Sequence, residues 1–144
     1  MNVKVELSPE HRPSHAVIYT DEITEEVQRV MGLLGGAGTP LTVMKEDQIL
    51  VLRPEEIYMV RVEGGETVLY GEKERYTSRK RLYEWADQLG GQFMQISKAT
   101  LVNLSYLDSV TAGFSGTLFL KLKNGSSDYV SRRYLPAFKS YLGL

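Results

Sequence analysis

Beyond residue 40 the chain is cut into short apolar runs, rich in β-branched and aromatic residues, with turn formers between them. Leu41-Thr42-Val43-Met44 and Gln48-Ile49-Leu50-Val51-Leu52 flank Lys45-Glu46-Asp47. Ile57-Tyr58-Met59-Val60-Arg61-Val62 and Thr67-Val68-Leu69-Tyr70 flank Glu63-Gly64-Gly65-Glu66, whose glycines supply the positive φ of a tight hairpin. Glu74-Arg75-Tyr76-Thr77 adds a strand, and Phe93-Met94-Gln95-Ile96 another. Tyr106-Leu107-Asp108-Ser109-Val110, Thr117 to Leu122 and Asp128-Tyr129-Val130 follow, with the strong turn signal Asn124-Gly125 between the last two. Such spacing predicts a mainly β fold.

Two stretches of this region carry helical spacing instead. Leu82, Trp85, Ala86 and Leu89 mark one buried face, with Ser78 as the expected N-cap and Gly90-Gly91 as the stop. The second helix starts near Arg132 and ends at Leu142-Gly143, with Pro136 early, where a missing N–H costs little. The first 38 residues read as a separate strand–strand–helix extension. Val3, Val5 and Leu7 alternate with polar neighbours, Ala16-Val17-Ile18-Tyr19 is a second run, and Asp21 is the expected cap of a helix. Ile23, Val27, Val30, Met31 and Leu34 give that helix one apolar stripe, and Gly35-Gly36-Ala37-Gly38 ends it. A unit this small buries too little to stand alone. Its stripe either seals against residues 39–144 or pairs two copies. The expected domains are therefore 1–38 and 39–144.

Bulk properties narrow the function. The 144 residues carry a net charge of −1, split as three basic and six acidic groups in 1–38 against fourteen basic and twelve acidic in 39–144. That mild asymmetry alone says little about nucleic acid. With no cysteine, disulfides, thiolate chemistry and cysteine-held zinc are excluded. No apolar run approaches a membrane span, and the amino terminus lacks a signal peptide's apolar core, so a cytoplasmic setting is expected. The Walker loop, Gly-x-Ser-x-Gly and His-Glu-x-x-His are absent, and no enzyme, cofactor or small-molecule substrate is expected. Pro13 between His11 and His15 argues against a helical metal pair.

Three stretches stand out chemically. Arg79-Lys80-Arg81 is a solvated helix face or a phosphate-contact surface. Ile96-Ser97-Lys98-Ala99-Thr100-Leu101-Val102-Asn103 sets small hydroxyl residues and one lysine between apolar anchors, as in a loop that either satisfies itself or meets a groove. Val130-Ser131-Arg132-Arg133-Tyr134 places two arginines where a strand hands over to a helix. Ser131 is an expected cap, and the arginines are suited to a phosphate and a guanine edge or to nearby acids.

Taken together, Phe93 to Asn103, the Asn124-Gly125 turn and Val130 to Tyr134 resemble the signature of LytTR DNA-binding domains. Pro54 to Val60 is similar to that family's entry strand, and Tyr76 to Leu89 to its helix, so the resemblance covers about residues 40–144. It implies an elongated β fold that reads double-stranded DNA through loops entering successive major grooves. By position it implies contacts from Lys98, from Arg133 as the base-reading arginine, from Ser97 and Arg132 beside phosphates, and from the tip that includes Glu66 and Thr67. Arg79 and Lys80 are expected phosphate contacts, and Asn103 is expected to close a turn. The first tip departs from the family pattern: Gly64-Gly65-Glu66 stands where a basic or imidazole residue is common. The resemblance further implies a regulator without a receiver domain, acting as a homodimer on paired direct repeats. A small membrane protein is an implied restraining partner. A module of the same fold that binds proteins and has lost strong DNA binding is the competing expectation.

Overall fold

The computed structural model describes residues 1–12, 16–34 and 40–144, with the backbone alone for 31–34. They fall into two units, Met1–Thr39 and Pro40–Leu144.

In the first unit a helix, α1 (Glu25–Leu34), forms as the spacing predicts, but its cap differs. The Thr24 hydroxyl, not Asp21, accepts the Val27 N–H at 3.3 Å, and Ile23 lies outside the helix and exposed. Val27 is buried and Val30 half-buried; the side chains of Met31 and Leu34 lie outside the described residues, as do Gly35 to Gly38 and His15. The two expected strands are corrected. Among the described residues no strand precedes Leu41, and Val3, Val5, Leu7 and Tyr19 stand 86, 77, 92 and 92% exposed. Alternation is a side-chain pattern, and it makes a strand only where a neighbour takes the backbone hydrogen bonds. His11 sits beside the Glu6 carboxylate at 3.8 Å.

The second unit is the expected β fold. Seven strands form one antiparallel sheet: β1 (Leu41–Lys45), β2 (Gln48–Leu52), β3 (Met59–Glu63), β4 (Glu66–Tyr70), β5 (Arg75–Ser78), β6 (Phe93–Gln95) and β7 (Thr100–Asn103). Their spatial order is β2-β1-β5-β4-β3-β7-β6. A second sheet, in the order β10-β9-β8, holds β8 (Leu107–Ala112), β9 (Leu118–Leu122) and β10 (Ser127–Val130). Two helices complete the unit, α2 (Leu82–Leu89) and α3 (Leu135–Leu142).

Turn chemistry sets the registers. Glu63 pairs with Glu66 across Gly64 and Gly65, both at positive φ, and Lys45 pairs with Gln48 across Glu46 and Asp47, at φ 47° and 65°. Positive φ at both central positions is the hairpin geometry whose twist matches the strands. The segment from Thr100 to Asn103 is not loop, as its small polar residues made it read, but strand β7. It lies between β3 and β6 with all four residues buried, so no solvent-facing alternation marks it, and its Thr100 and Asn103 side chains are hydrogen-bonded inside the fold. Asn103 closes the following turn: its side chain donates to the Ile57 carbonyl at 2.9 Å and accepts from the Ser105 N–H at 3.0 Å.

The core has two parts. One lies between α2 and the large sheet, where Trp85, Ile57, Val60, Leu69 and Leu101 are essentially inaccessible. The other gathers Met59, Ile96 and Val102 of the large sheet's region with Leu120, Leu122 and Val130 of the small sheet and Phe138 of α3. The two sheets are thus welded through β3, β7 and the residue after β6.

Candidate nucleic-acid interface

Antiparallel pairing brings the end of β3, the start of β4, the end of β5 and the β6–β7 connection to one end of the large sheet. There an open groove of about 750 Å³ is lined by Glu66, Thr67, Arg79, Lys80, Arg81 and Lys98, with Ser78, Tyr83 and Gln95 among the others. Residues more than thirty positions apart in sequence, including five of the eight expected contacts, therefore share one concavity. Arg81 and Tyr83, outside the expected contacts, belong to it as well; Tyr83 is 65% exposed just past a basic triplet, which is the sequence signal that marks it.

The groove's cations differ in freedom. Arg79 and Lys98 are exposed, and no ion pair among the described residues involves them or Arg132 or Arg133. Lys80 is held: its ammonium donates to the Gln88 side-chain oxygen at 2.6 Å and sits 5.0 Å from the Trp85 ring centroid. Beneath it, the Trp85 indole N–H donates to the Ser78 hydroxyl at 3.0 Å. Ser78 therefore ends β5 and receives the indole rather than capping α2. The cap is formed at Arg81, whose N–H donates to the Glu84 carboxylate at 2.7 Å. Thr67 is 6% exposed and has little surface to offer a ligand.

Arg132 and Arg133 do not line the groove, but their turn is anchored beside it. The Ser131 N–H donates to the Ile96 carbonyl at 2.9 Å, next to Ser97 and two residues before Lys98. The Ser131 hydroxyl turns to the same carbonyl at 3.4 Å instead of capping the helical turn that follows, so the expected cap is corrected. Both arginines are exposed, the Arg133 guanidinium 5.9 Å from the Tyr134 ring. Ser97 is half-buried and its hydroxyl accepts the Ala99 N–H at 3.2 Å, which folds the loop back and leaves Lys98 at its tip.

Behind these tips lies a polar cluster that local sequence patterns did not disclose. Arg61 of β3 donates to the Tyr70 hydroxyl at 3.0 Å, to Glu63 at 3.3 Å and to the Ser127 carbonyl at 3.3 Å, and lies 3.5 Å from the Asp128 carboxylate. Asp128 also accepts from the Thr100 hydroxyl at 2.6 Å, while Glu63 accepts from Tyr70 at 2.5 Å and from Arg75 at 3.1 Å. Burial works to raise the Glu63 pKa, but the Tyr70 hydrogen bond and the Arg61 and Arg75 charges outweigh it and hold the carboxyl below its ordinary value. A depressed carboxylate stabilises the fold above its unfolded pKa, about 4.3 for glutamate, and that contribution drains away as pH falls through the lower folded value. Urea denaturation should therefore show stability declining through that acid window, with a smaller decline in Glu63→Gln; equal declines in the two proteins would refute the assignment.

The other end of β3, β4 and β5 has the opposite character. A smaller hollow of about 320 Å³ is lined by Glu55, Glu56, Glu72 and Glu74, with Lys73, Tyr76 and the stacked Tyr58 and Tyr106, ring centroids 3.9 Å apart. Among the described residues no group of carboxylates and histidines is arranged to hold a metal, and no helix is long and apolar enough to cross a membrane.

At one end of this two-sheet β unit, Arg79, Lys80, Arg81 and Lys98 thus gather around one solvent-facing groove. Residues 47–143 match the LytTr DNA-binding domain, and the chain belongs to that family, one of DNA-binding domains and not of enzymes. Over 107 residues it is 30% identical to the sensory transduction protein LytR of Staphylococcus haemolyticus, a match spanning 74% of this chain and 42% of that protein. The sensory transduction protein LytT of Enterococcus faecalis is similar, 29% identical over 76% of this chain and 46% of its own length. The chain thus spans under half the length of these curated relatives. An uncharacterized HTH-type transcriptional regulator of Staphylococcus aureus, SAS2254, is 22% identical over 100% of this chain and 99% of its own. The LytTr DNA-binding domain of a Bacillus cereus response regulator shares the fold, with a TM-score of 0.67 and 20% identity over 74% of this chain and 100% of that one.

Proposed function

We propose that this chain is a cytoplasmic bacterial transcription regulator that reads double-stranded DNA through its inter-strand tips, each entering one of successive major grooves. The observation that carries the reading is the clustering of Arg79, Lys80 and Lys98 around one open groove, with the turn bearing Arg132 and Arg133 anchored beside it. Lys98 and Arg79 serve phosphates, and Arg133 presents a planar fork to the acceptors of a guanine edge. Ser97 and Arg132 flank it at the backbone, and Glu66 and Thr67 mark the limit of the contact surface. The names of the relatives, sensory transduction proteins and a transcriptional regulator, fit this reading. Residues 1–38 form a distinct extension, and a small membrane protein is a suitable restraining partner for the regulator.

A pool of random duplexes, selected at two salt concentrations, tests the proposal. Affinity for the selected site should fall steeply with salt. Arg133→Ala should cost about 1–3 kcal/mol and relax preference at one position, whereas Lys98→Ala should weaken all sequences alike and flatten the salt slope by about 1. Unchanged binding by the Arg133→Ala, Lys98→Ala double variant would eliminate this surface. The second reading, a protein-interaction module of the same fold, draws on Glu66, whose carboxylate stands exposed at the β3–β4 tip. It gains if selection enriches no sequence.

A further inference from the structure

Strand β2 ends the seven-stranded sheet and is hydrogen-bonded on one side only, to β1. Natural edge strands are usually blunted by charge, proline or a bulge, because a bare edge invites pairing. Gln48 to Leu52 contains no charge, no proline and no register shift, and Ile49 and Val51 are 72 and 67% exposed on one face. Such an edge is built for a strand from elsewhere.

We propose that its occupant is the same strand of a second copy, antiparallel about a two-fold axis at Leu50. Two independent features of the chain select this register. The first is hydrogen-bond parity. In a two-residue hairpin the closing pair, here Lys45 and Gln48, exchanges hydrogen bonds, and alternate pairs beyond it do so too. Gln48, Leu50 and Leu52 therefore spend their backbone groups on β1, and those of Ile49 and Val51 point outward. An axis at Leu50 sets each outward Ile49 against an outward Val51 of the partner, so every exposed donor finds an acceptor.

The second feature is charge. The same register brings Asp47, the turn residue just before β2, toward Arg53 of the second copy, the extended residue just after it, twice by symmetry. An axis at Ile49 satisfies the same parity but sets Asp47 opposite Val51, and an axis at Val51 sets Arg53 opposite Ile49. Only the Leu50 axis matches charge with charge and apolar with apolar. Ile49 and Val51 of both copies then form one apolar cluster, and Leu50, which already leans on the α2 core, continues that core across the axis. A pairing of two short strands is small by the standard of stable interfaces, so it is a reversible, concentration-dependent contact. Being two-fold, it serves inverted half-sites or two separate duplexes; direct repeats would be bound without it.

Sedimentation of the full chain without DNA, across a wide concentration range, tests the pairing. Wild type should self-associate. Val51→Lys, at an exposed position, should weaken association at least tenfold while leaving affinity for a single DNA site unchanged. Arg53→Glu, which sets two carboxylates against each other, should weaken it severalfold, and adding Asp47→Asn, tolerated at positive φ, should restore part of the loss. A chain that stays monomeric throughout, or one whose association ignores Val51→Lys and Arg53→Glu, overturns the proposal. Because these readings need no operator, they stand or fall apart from DNA recognition.

Discussion

Trp85→Ala should destabilise the fold by about 3–5 kcal/mol and weaken DNA binding with it. The indole is wholly inaccessible, at the centre of the core between α2 and the large sheet. Truncation leaves a cavity in a close-packed region whose walls are held by strands β3, β4 and β7. It also removes the donor that the Ser78 hydroxyl receives and the ring beneath the Lys80 ammonium. Those two losses lie under the groove, so the damage reaches the surface that Arg79 and Lys98 share. Trp85→Phe keeps most of the burial but not the N–H, and a cost near 1 kcal/mol is expected. Chemical denaturation measures both; an alanine variant within 1 kcal/mol of wild type would show that the core tolerates this loss and that the ring is no keystone.

Arg61→Met is expected to cost about 2–3 kcal/mol of stability and to lower DNA affinity beyond what stability explains. One guanidinium meets β3, β4 and β10 at once, and Asp128, its neighbour, extends the cluster to Thr100 at the start of β7. Glu63 leads into the first tip, Thr100 follows the Lys98 loop, and Asp128 lies just before the Arg132–Arg133 turn. Methionine keeps the length and packing of the stem but strands two partly buried carboxylates. The three tips then lose the common group that fixes their spacing, and a gain in entropy at each tip is a loss in specific binding. Denaturation and titration of a selected duplex separate the parts. If binding falls only as far as the folded fraction does, Arg61 is a structural residue and not a positioning one.

The residues that make turns were readable because their reason is local. Gly64-Gly65 adopt the positive φ expected of them, and Glu46-Asp47 and Gly125 turn where a turn was read, though nothing in a glutamate announces the positive φ of Glu46. What misled was also local. Asp21, Ser78 and Ser131 all carry oxygens suited to capping, yet Thr24 and Glu84 cap, and Ser78 and Ser131 bond to groups 7 and 35 residues away. A hydroxyl goes to the partner the tertiary fold brings, and sequence does not display that partner. The alternation of Val3 to Leu7 promised a strand on side chains alone. Thr100 to Asn103 hid one, because its threonine and asparagine are satisfied by Asp128 and Ile57, residues distant along the chain. A family pattern supplied Lys98 and Arg133 as candidates; Lys98 lines the groove and Arg133 does not. The Arg61 cluster was not legible, since its six side chains span residues 61 to 128 and no short motif contains more than two.

The acidic hollow at the far end of β3, β4 and β5 bears on kinetics. A chain whose formal charge is −1 has almost no monopole with which to find a polyanion. Separating carboxylates from ammonium and guanidinium groups along roughly 17 Å of strand gives the unit Pro40–Leu144 a dipole instead. On the proposed function, a duplex would exert a torque on that dipole before any contact forms, turning the Lys98 end forward and the Glu72 end away. Encounters would thereby be pre-aimed, and the benefit would fade as the Debye length shrinks below the separation.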